Sequence, residues 1–257
     1  MIEAINLNKT FRGNKVLRDL NLKIDSNITE VIIGRSGCGK SVFLKHIIGI
    51  LKPDSGQVIV DGLDVTKLLP KELNKLRLNF GMLFQGAALF DSLTVYENVG
   101  FNLIEHTDLD SQTIAKRVKE SLALVGLEGI QDLRPAELSG GMKKRVGLAR
   151  AICMRPKFIL YDEPTTGIDP IMADAINELI MDLQNKLEIT SIVVTHDMVS
   201  AYKIADRISM LYKGKIIETG TPDEIKNTKN PVVKQFITGA AIGPITKEAD
   251  RGENERE

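Results

Sequence analysis

Cysteine is scarce in this sequence. Cys38 and Cys153 are the only two among 257 residues, too few for a disulfide framework, which agrees with a reducing compartment. A surplus of charge is missing too. Lys plus Arg and Asp plus Glu number 34 each. That balance argues against nucleic acid as a partner, because such binding runs on clustered positive charge. No apolar run approaches the length that spans a bilayer. The opening stretch, MIEAINLNKTF, lacks the apolar core of a signal peptide. The expectation is a chain made and kept in the cytoplasm, which reaches a membrane only by docking on another protein. Internal repeats and Gly/Ser linkers are also absent, so the chain reads as one domain with subdomains.

What is present is ordinary for a globular protein: 43% apolar and 26% charged residues. The length is ample for a core and an enzyme-sized site. Leu20, Leu22 and Ile24 alternate with Asn21 and Lys23, the period of a half-buried strand. Asp25-Ser26-Asn27 marks a turn, and Ile28 to Ile33 a strand leading into Gly34. Val58 to Val60 is a strand closed by Asp61-Gly62. Helical patterning dominates from about Pro70 to Arg155, with Ile114, Val118, Leu122 and Val125 on one stripe. Phe158 to Tyr161 reads as a buried parallel strand. Ile176, Leu179, Ile180, Leu183 and Leu187 trace one helix face. Ser191 to Val194 is a further strand, and Ile208 to Glu218 a hairpin. The Glu/Arg-rich end from Lys247 reads as disordered. Strands alternating with helices imply an α/β core with a parallel sheet.

Gly34-Arg35-Ser36-Gly37-Cys38-Gly39-Lys40-Ser41 matches the P-loop pattern in its required setting, after a strand and opening a helix. Glycines let backbone N–H groups turn toward phosphates, and the helix N-terminus adds a positive dipole end. Lys40 is suited to the terminal phosphates and the Ser41 hydroxyl to Mg²⁺. Val42 follows in the same ATP-contacting stretch. A random chain of this length would match about once in a hundred. Asp162 ends a buried strand, where it can hold Mg²⁺ directly or through water. Glu163 follows, where a carboxylate can polarise the attacking water. A thiol at a helix N-terminus beside Lys40 is expected to have a lowered pKa, so Cys38 is a candidate for alkylation that ATP blocks.

Leu138-Ser139-Gly140-Gly141-Met142 precedes a helix. Here the sequence resembles the ATP-binding cassette (ABC) family, whose signature motif is LSGG. The resemblance runs from about Ile2 to Ile245. It implies a RecA-like P-loop core with an N-terminal antiparallel β subdomain and an α-helical signature subdomain at about 86–155. It also implies one nucleotide-binding domain over 1–240 and a flexible or partner-contacting tail over 241–257. In this family Ser139, Gly140 and Gly141 contact ATP on the opposing subunit, so a second copy completes each site. Gln85 matches the Q-loop, which senses Mg²⁺ and the attacking water, and His196 matches the switch histidine at the γ-phosphate. Asp169 matches the D-loop at the subunit interface, and Phe11 the aromatic that stacks on adenine. Lys143, Lys144 and Arg145 read as a solvated basic face.

Within the family the sequence is similar to the MlaF-type ATPases of Mce-associated lipid transporters. Gly81 to Val99, Glu163 to Pro170, Gln235 to Gly239 and Gly243-Pro244 carry this likeness. Ile168 departs from the commoner Leu, and the tail after Thr246 is short and charged. The likeness implies an ATPase on the cytoplasmic face of the inner membrane. It would drive phospholipid trafficking through a permease docked by a coupling helix, with a Mce-type periplasmic lipid-binding subunit. Another ABC transporter or a soluble Fe–S assembly ATPase remains an alternative. A non-hydrolysing module does not fit, because Glu163, His196 and the signature are all intact.

Overall fold

The structure, a computed structural model, describes residues 1–246. The charged end from Lys247, read as disordered, lies outside the described residues. Two sheets organise the chain. An antiparallel sheet of order β2-β1-β4-β5 comprises β1 (Ile2–Phe11), β2 (Asn14–Ile24), β4 (Ser55–Val60) and β5 (Leu63–Asp64). The six-stranded sheet has the order β10-β9-β3-β8-β7-β6. Its strands are β3 (Thr29–Ile33), β6 (Phe80–Leu83), β7 (Phe158–Asp162), β8 (Thr190–Thr195), β9 (Arg207–Tyr212) and β10 (Lys215–Gly220). All of its pairs are parallel except β9–β10, which is the expected hairpin.

The six-stranded sheet is covered on both faces, so its strands carry apolar residues in runs rather than alternately. Val31 and Ile33 face one core, and Ile32 between them faces the other. The second core is closed by the antiparallel sheet and by α1 (Lys40–Ile47), through Leu20, Phe43, Leu44 and Ile47. The first core is closed by α6 (Pro170–Leu187) and α7 (Met198–Ile204), through Ile176, Ile180, Leu183 and Ala201. Helices α3 (Val95–His106), α4 (Ser111–Leu124) and α5 (Gly140–Ile152) pack on one another beside this core. Ile114, Val118 and Leu122 form the buried stripe of α4 as expected.

The helical expectation from Pro70 to Arg155 is interrupted. After α2 (Pro70–Arg77), Phe80–Leu83 forms β6 and pairs with β7. Four residues are too few to show a period, and a parallel edge strand is defined by a partner far along the chain. Beyond the sheet lie α8 (Pro222–Lys226) and α9 (Pro231–Thr238). The described part of the tail, residues 241–246, folds back on α9. The Ile245 N–H donates to Gln235 Oε1 at 2.7 Å, and Gln235 Nε2 donates to the Ala240 carbonyl at 3.0 Å.

Candidate active site

The P-loop turns from β3 into α1 at the carboxyl edge of the parallel sheet, the edge where open α/β sheets bind ligands. Gly39 is the N-cap of α1 with φ 110°. A side chain there would be strained, and its Cβ would sit 3.1 Å from Val16 Cγ1 and Leu17 Cδ2. Lys40 is buried, and its ammonium donates to the Gly34 carbonyl at 2.8 Å and the Arg35 carbonyl at 3.3 Å. Ser41 Oγ donates to Asp162 Oδ1 at 2.7 Å. A hydroxyl from α1 and a carboxylate from the end of β7 thus meet across the loop.

Glu163 is the next residue after β7, with φ 50°. A non-glycine residue holds this left-handed conformation only when its surroundings enforce it. Its N–H donates to the Val194 carbonyl at 2.9 Å, which fastens the turn to β8. Its carboxylate is the hub of the site. Oε1 lies 3.4 Å from Lys40 Nζ. Oε2 accepts from His196 Nδ1 at 2.9 Å, from Thr166 Oγ1 at 3.2 Å and from Thr195 Oγ1 at 3.4 Å. A carboxylate only accepts, so this contact puts a proton on Nδ1. His196 follows β8, whose six residues are all buried, and its half-exposed ring reaches the cleft from a fixed base.

A cleft of about 330 Å³ gathers Ser36, Gly37, Gly39, Lys40, Ser41, Val42, Gln85, Glu163 and His196. Other expected residues stand apart from it. Phe11, at the end of β1, is 39% exposed with Lys9 Nζ 5.5 Å from its ring centroid, outside the cleft lining. Ser139 caps α5, accepting from the Met142 N–H at 3.3 Å, and Gly140 and Gly141 begin that helix. Asp169 caps α6, accepting from the Ile171 and Met172 N–H groups at 3.0 Å each. Cys38 faces a neighbouring hollow with Arg18 and Arg35. Burial raises its thiol pKa and outweighs the nearby Lys40 ammonium, so the expectation of a lowered pKa is corrected.

Val16, Thr166 and Thr195 also belong to the site, and no local pattern in the sequence marks them. Lys144 does not lie on a solvated face; it is buried. Among the described residues no group of three or more His, Cys, Asp or Glu could hold a metal. The Ser41–Asp162 pair nevertheless fits Mg²⁺, which takes one or two protein oxygens and completes its shell with phosphates and water.

The ABC transporter family matches residues 17–166, more than half of the chain. The chain belongs to the ABC transporter family. It is an ATPase of that family, coupled to transport. Relatives agree over nearly its whole length. It is 41% identical to the probable ribonucleotide transport ATP-binding protein mkl of Mycobacterium tuberculosis, over 98% of this chain and 70% of that one. It is 42% identical to the intermembrane phospholipid transport system ATP-binding protein MlaF of Haemophilus influenzae, over 95% of this chain and 93% of that one. Among solved structures, the ABC cassette MJ0796, a dimer in a post-hydrolysis state with ADP and Pi, superposes with TM-score 0.79 at 33% identity. That match covers 86% of this chain and 99% of the cassette.

Proposed function

We propose that two copies of this chain close around two ATP molecules, each held between the P-loop of one copy and the signature of the other. The observation that carries this is the separation within one chain. Lys40, Ser41, Glu163 and His196 line one cleft, with Asp162 bonded to Ser41 at its edge, whereas Ser139, Gly140 and Gly141 are neither in its lining nor bonded to it. Their helix N-terminus offers N–H groups and a positive dipole end to an anion. Asp169 at the start of α6 would meet the second copy, and Phe11 would stack on adenine when the nucleotide is bound.

In this reading Lys40 and Ser36 to Val42 bind the phosphates. Mg²⁺ would be held by Ser41, Asp162 and Gln85, and would offset phosphate charge. Glu163 accepts a proton from the attacking water as the new P–O bond forms and the bond to ADP breaks. His196 holds the Glu163 carboxylate in register, its Nε2 side turned to the γ-phosphate, and Ser139 of the opposite copy meets the charge developing there. Reopening after hydrolysis is transmitted at Gln85 to a coupling helix of a membrane permease, on the cytoplasmic face of the membrane. Among the described residues no helix is long and apolar enough to cross a membrane, which agrees with a peripheral subunit.

The cargo reading is phospholipid, with a Mce-type lipid-binding subunit in the same complex. It rests on the likeness to MlaF over nearly both chains. A ribonucleotide cargo is the second reading, because mkl carries that name. The test has two arms. Glu163→Gln is expected to bind ATP, to hydrolyse it about 10²–10⁴-fold more slowly and to accumulate dimers by light scattering. A variant that stays monomeric with ATP, even beside its membrane partner, refutes the sandwich. Affinity purification from membranes should yield a multi-span subunit with bound phospholipid; a partner-free soluble chain refutes the transport reading.

A further inference from the structure

Lys144 is 5% exposed, although it sits in the basic run Lys143-Lys144-Arg145. It lies on α5, the helix that Ser139 caps. Its ammonium donates to the backbone carbonyl of Gln85. Arg150 on the same helix donates to the carbonyls of Ala88 and Ala87, each at 2.7 Å. All three carbonyls belong to the stretch 85–88, which follows β6 almost directly. Ala87 and Ala88 are left-handed, with φ 60° and 48°. Two consecutive non-glycine residues keep that conformation only where neighbours enforce it.

The helix and this stretch are also packed without slack. A Cβ on Gly81 of β6 would fall 2.4 Å from the Ala151 carbonyl oxygen. A Cβ on Gly147 of α5 would fall 2.8 Å from Leu83 Cδ1 and 3.4 Å from Ala87 Cβ. Interiors this close transmit displacement rather than absorb it. A shift of α5 therefore carries residues 81–88 with it.

A purely structural use of Lys144 is the alternative. Burying an ammonium is costly, and an apolar side chain of similar volume would fill the same space at no such cost. Burial does press the Lys144 pKa down, while the Asp162 and Glu163 carboxylates hold it up. The ammonium thus sits in the field of Asp162 and Glu163 and on the backbone of Gln85, which lines the cleft with Glu163.

We propose that Lys144 is a positioning residue that ties the signature end of α5 to the Gln85 backbone. Nucleotide engaged at Ser139 by the opposite copy then sets Gln85 in this copy's own cleft. Arg150 supplies a second tether two residues further along the same stretch. This inference rests on the nucleotide-sandwich reading above.

The experiment uses the full-length chain with its membrane partner and Mg-ATP. It reads kcat, KM, the Hill coefficient for ATP and Tm. Lys144→Met should lower kcat at least about tenfold, the loss expected for one hydrogen bond from a charged group. KM should stay within about twofold, Tm should not fall, and cooperativity in ATP should drop. Lys144→Arg, which keeps the charge and a donor, should restore most of kcat. A Lys144→Met enzyme with wild-type kcat and cooperativity overturns the proposal. So does a kcat loss that Lys144→Arg fails to rescue and that tracks a fall in Tm, the mark of a structural role. If Lys144→Met does not fold, Arg150→Met decides by the same readouts, and wild-type kinetics there overturn the proposal. Failure of the underlying site is distinguishable, because Lys40→Ala would then bind and hydrolyse ATP like the wild type.

Discussion

Replacing Glu30 by Gln should remove a loss of stability that this chain suffers as pH rises toward neutrality. Glu30 lies on β3, inside the six-stranded sheet, and is 0% exposed. Its Oε1 accepts from Ser209 Oγ at 2.6 Å, and that hydroxyl lies 2.7 Å from Thr219 Oγ1. Its Oε2 is buried with no hydrogen-bond partner. Burial pushes the carboxyl up from its usual 4.5 to about 7, against the opposing pull of Ser209 and Arg207, with Asp25 adding a small push. The folded state therefore holds a proton that the unfolded state releases between those values. Stability falls as pH rises through this window and levels off above about pH 7. At about 1.36 kcal/mol per pKa unit the loss is about 3 kcal/mol. Gln cannot ionise, so Glu30→Gln should match the wild type near pH 4.5 and exceed it by about 3 kcal/mol at pH 8. Urea unfolding from pH 4.5 to 8, comparing midpoints at constant m-value, measures this. A difference between the two proteins that does not change with pH refutes the reasoning.

Two further outcomes follow from the geometry. Iodoacetamide at pH 7 should modify Cys38 more slowly than free cysteine, because burial raises its thiol and leaves less thiolate; faster modification, measured by mass spectrometry, contradicts this. Gly81→Ala should lower stability by about 1–3 kcal/mol, since the new Cβ would meet a backbone oxygen at 2.4 Å; an unchanged Tm shows that β6 and α5 can part.

Much of the site was legible because its signals are local. Gly34 to Ser41 must form one turn, so its residue types and their spacing sit together in the chain. Asp162 and Glu163 follow an apolar run of strand length, which places a carboxylate at a strand end wherever the sheet lies. His196 was legible for the same reason after β8. The strand β6 was not, because four residues have no measurable period and their partner β7 lies about 75 residues away. Lys144 was misread because charge runs are solvated by default, and only the packing of α5 on residues 81–88 removes it from water. The sign at Cys38 was misread because the helix end and Lys40 are local, whereas its packing against the second core is not.

The order of residues alone determined the chemistry available to this protein. In the reading proposed above, it supplies a turn suited to phosphate, a hydroxyl and a carboxylate suited to Mg²⁺, a carboxylate suited to act as base, and a second helix end suited to an anion. Each of these needs only a few neighbouring residues in one backbone conformation. The tertiary structure decided which of them share a cleft. It brought Lys40 and His196 onto Glu163 and Ser41 onto Asp162, and left Ser139 to Gly141 outside. The reason is that strand order and helix packing are set by burial summed over the whole chain, a quantity no short segment contains.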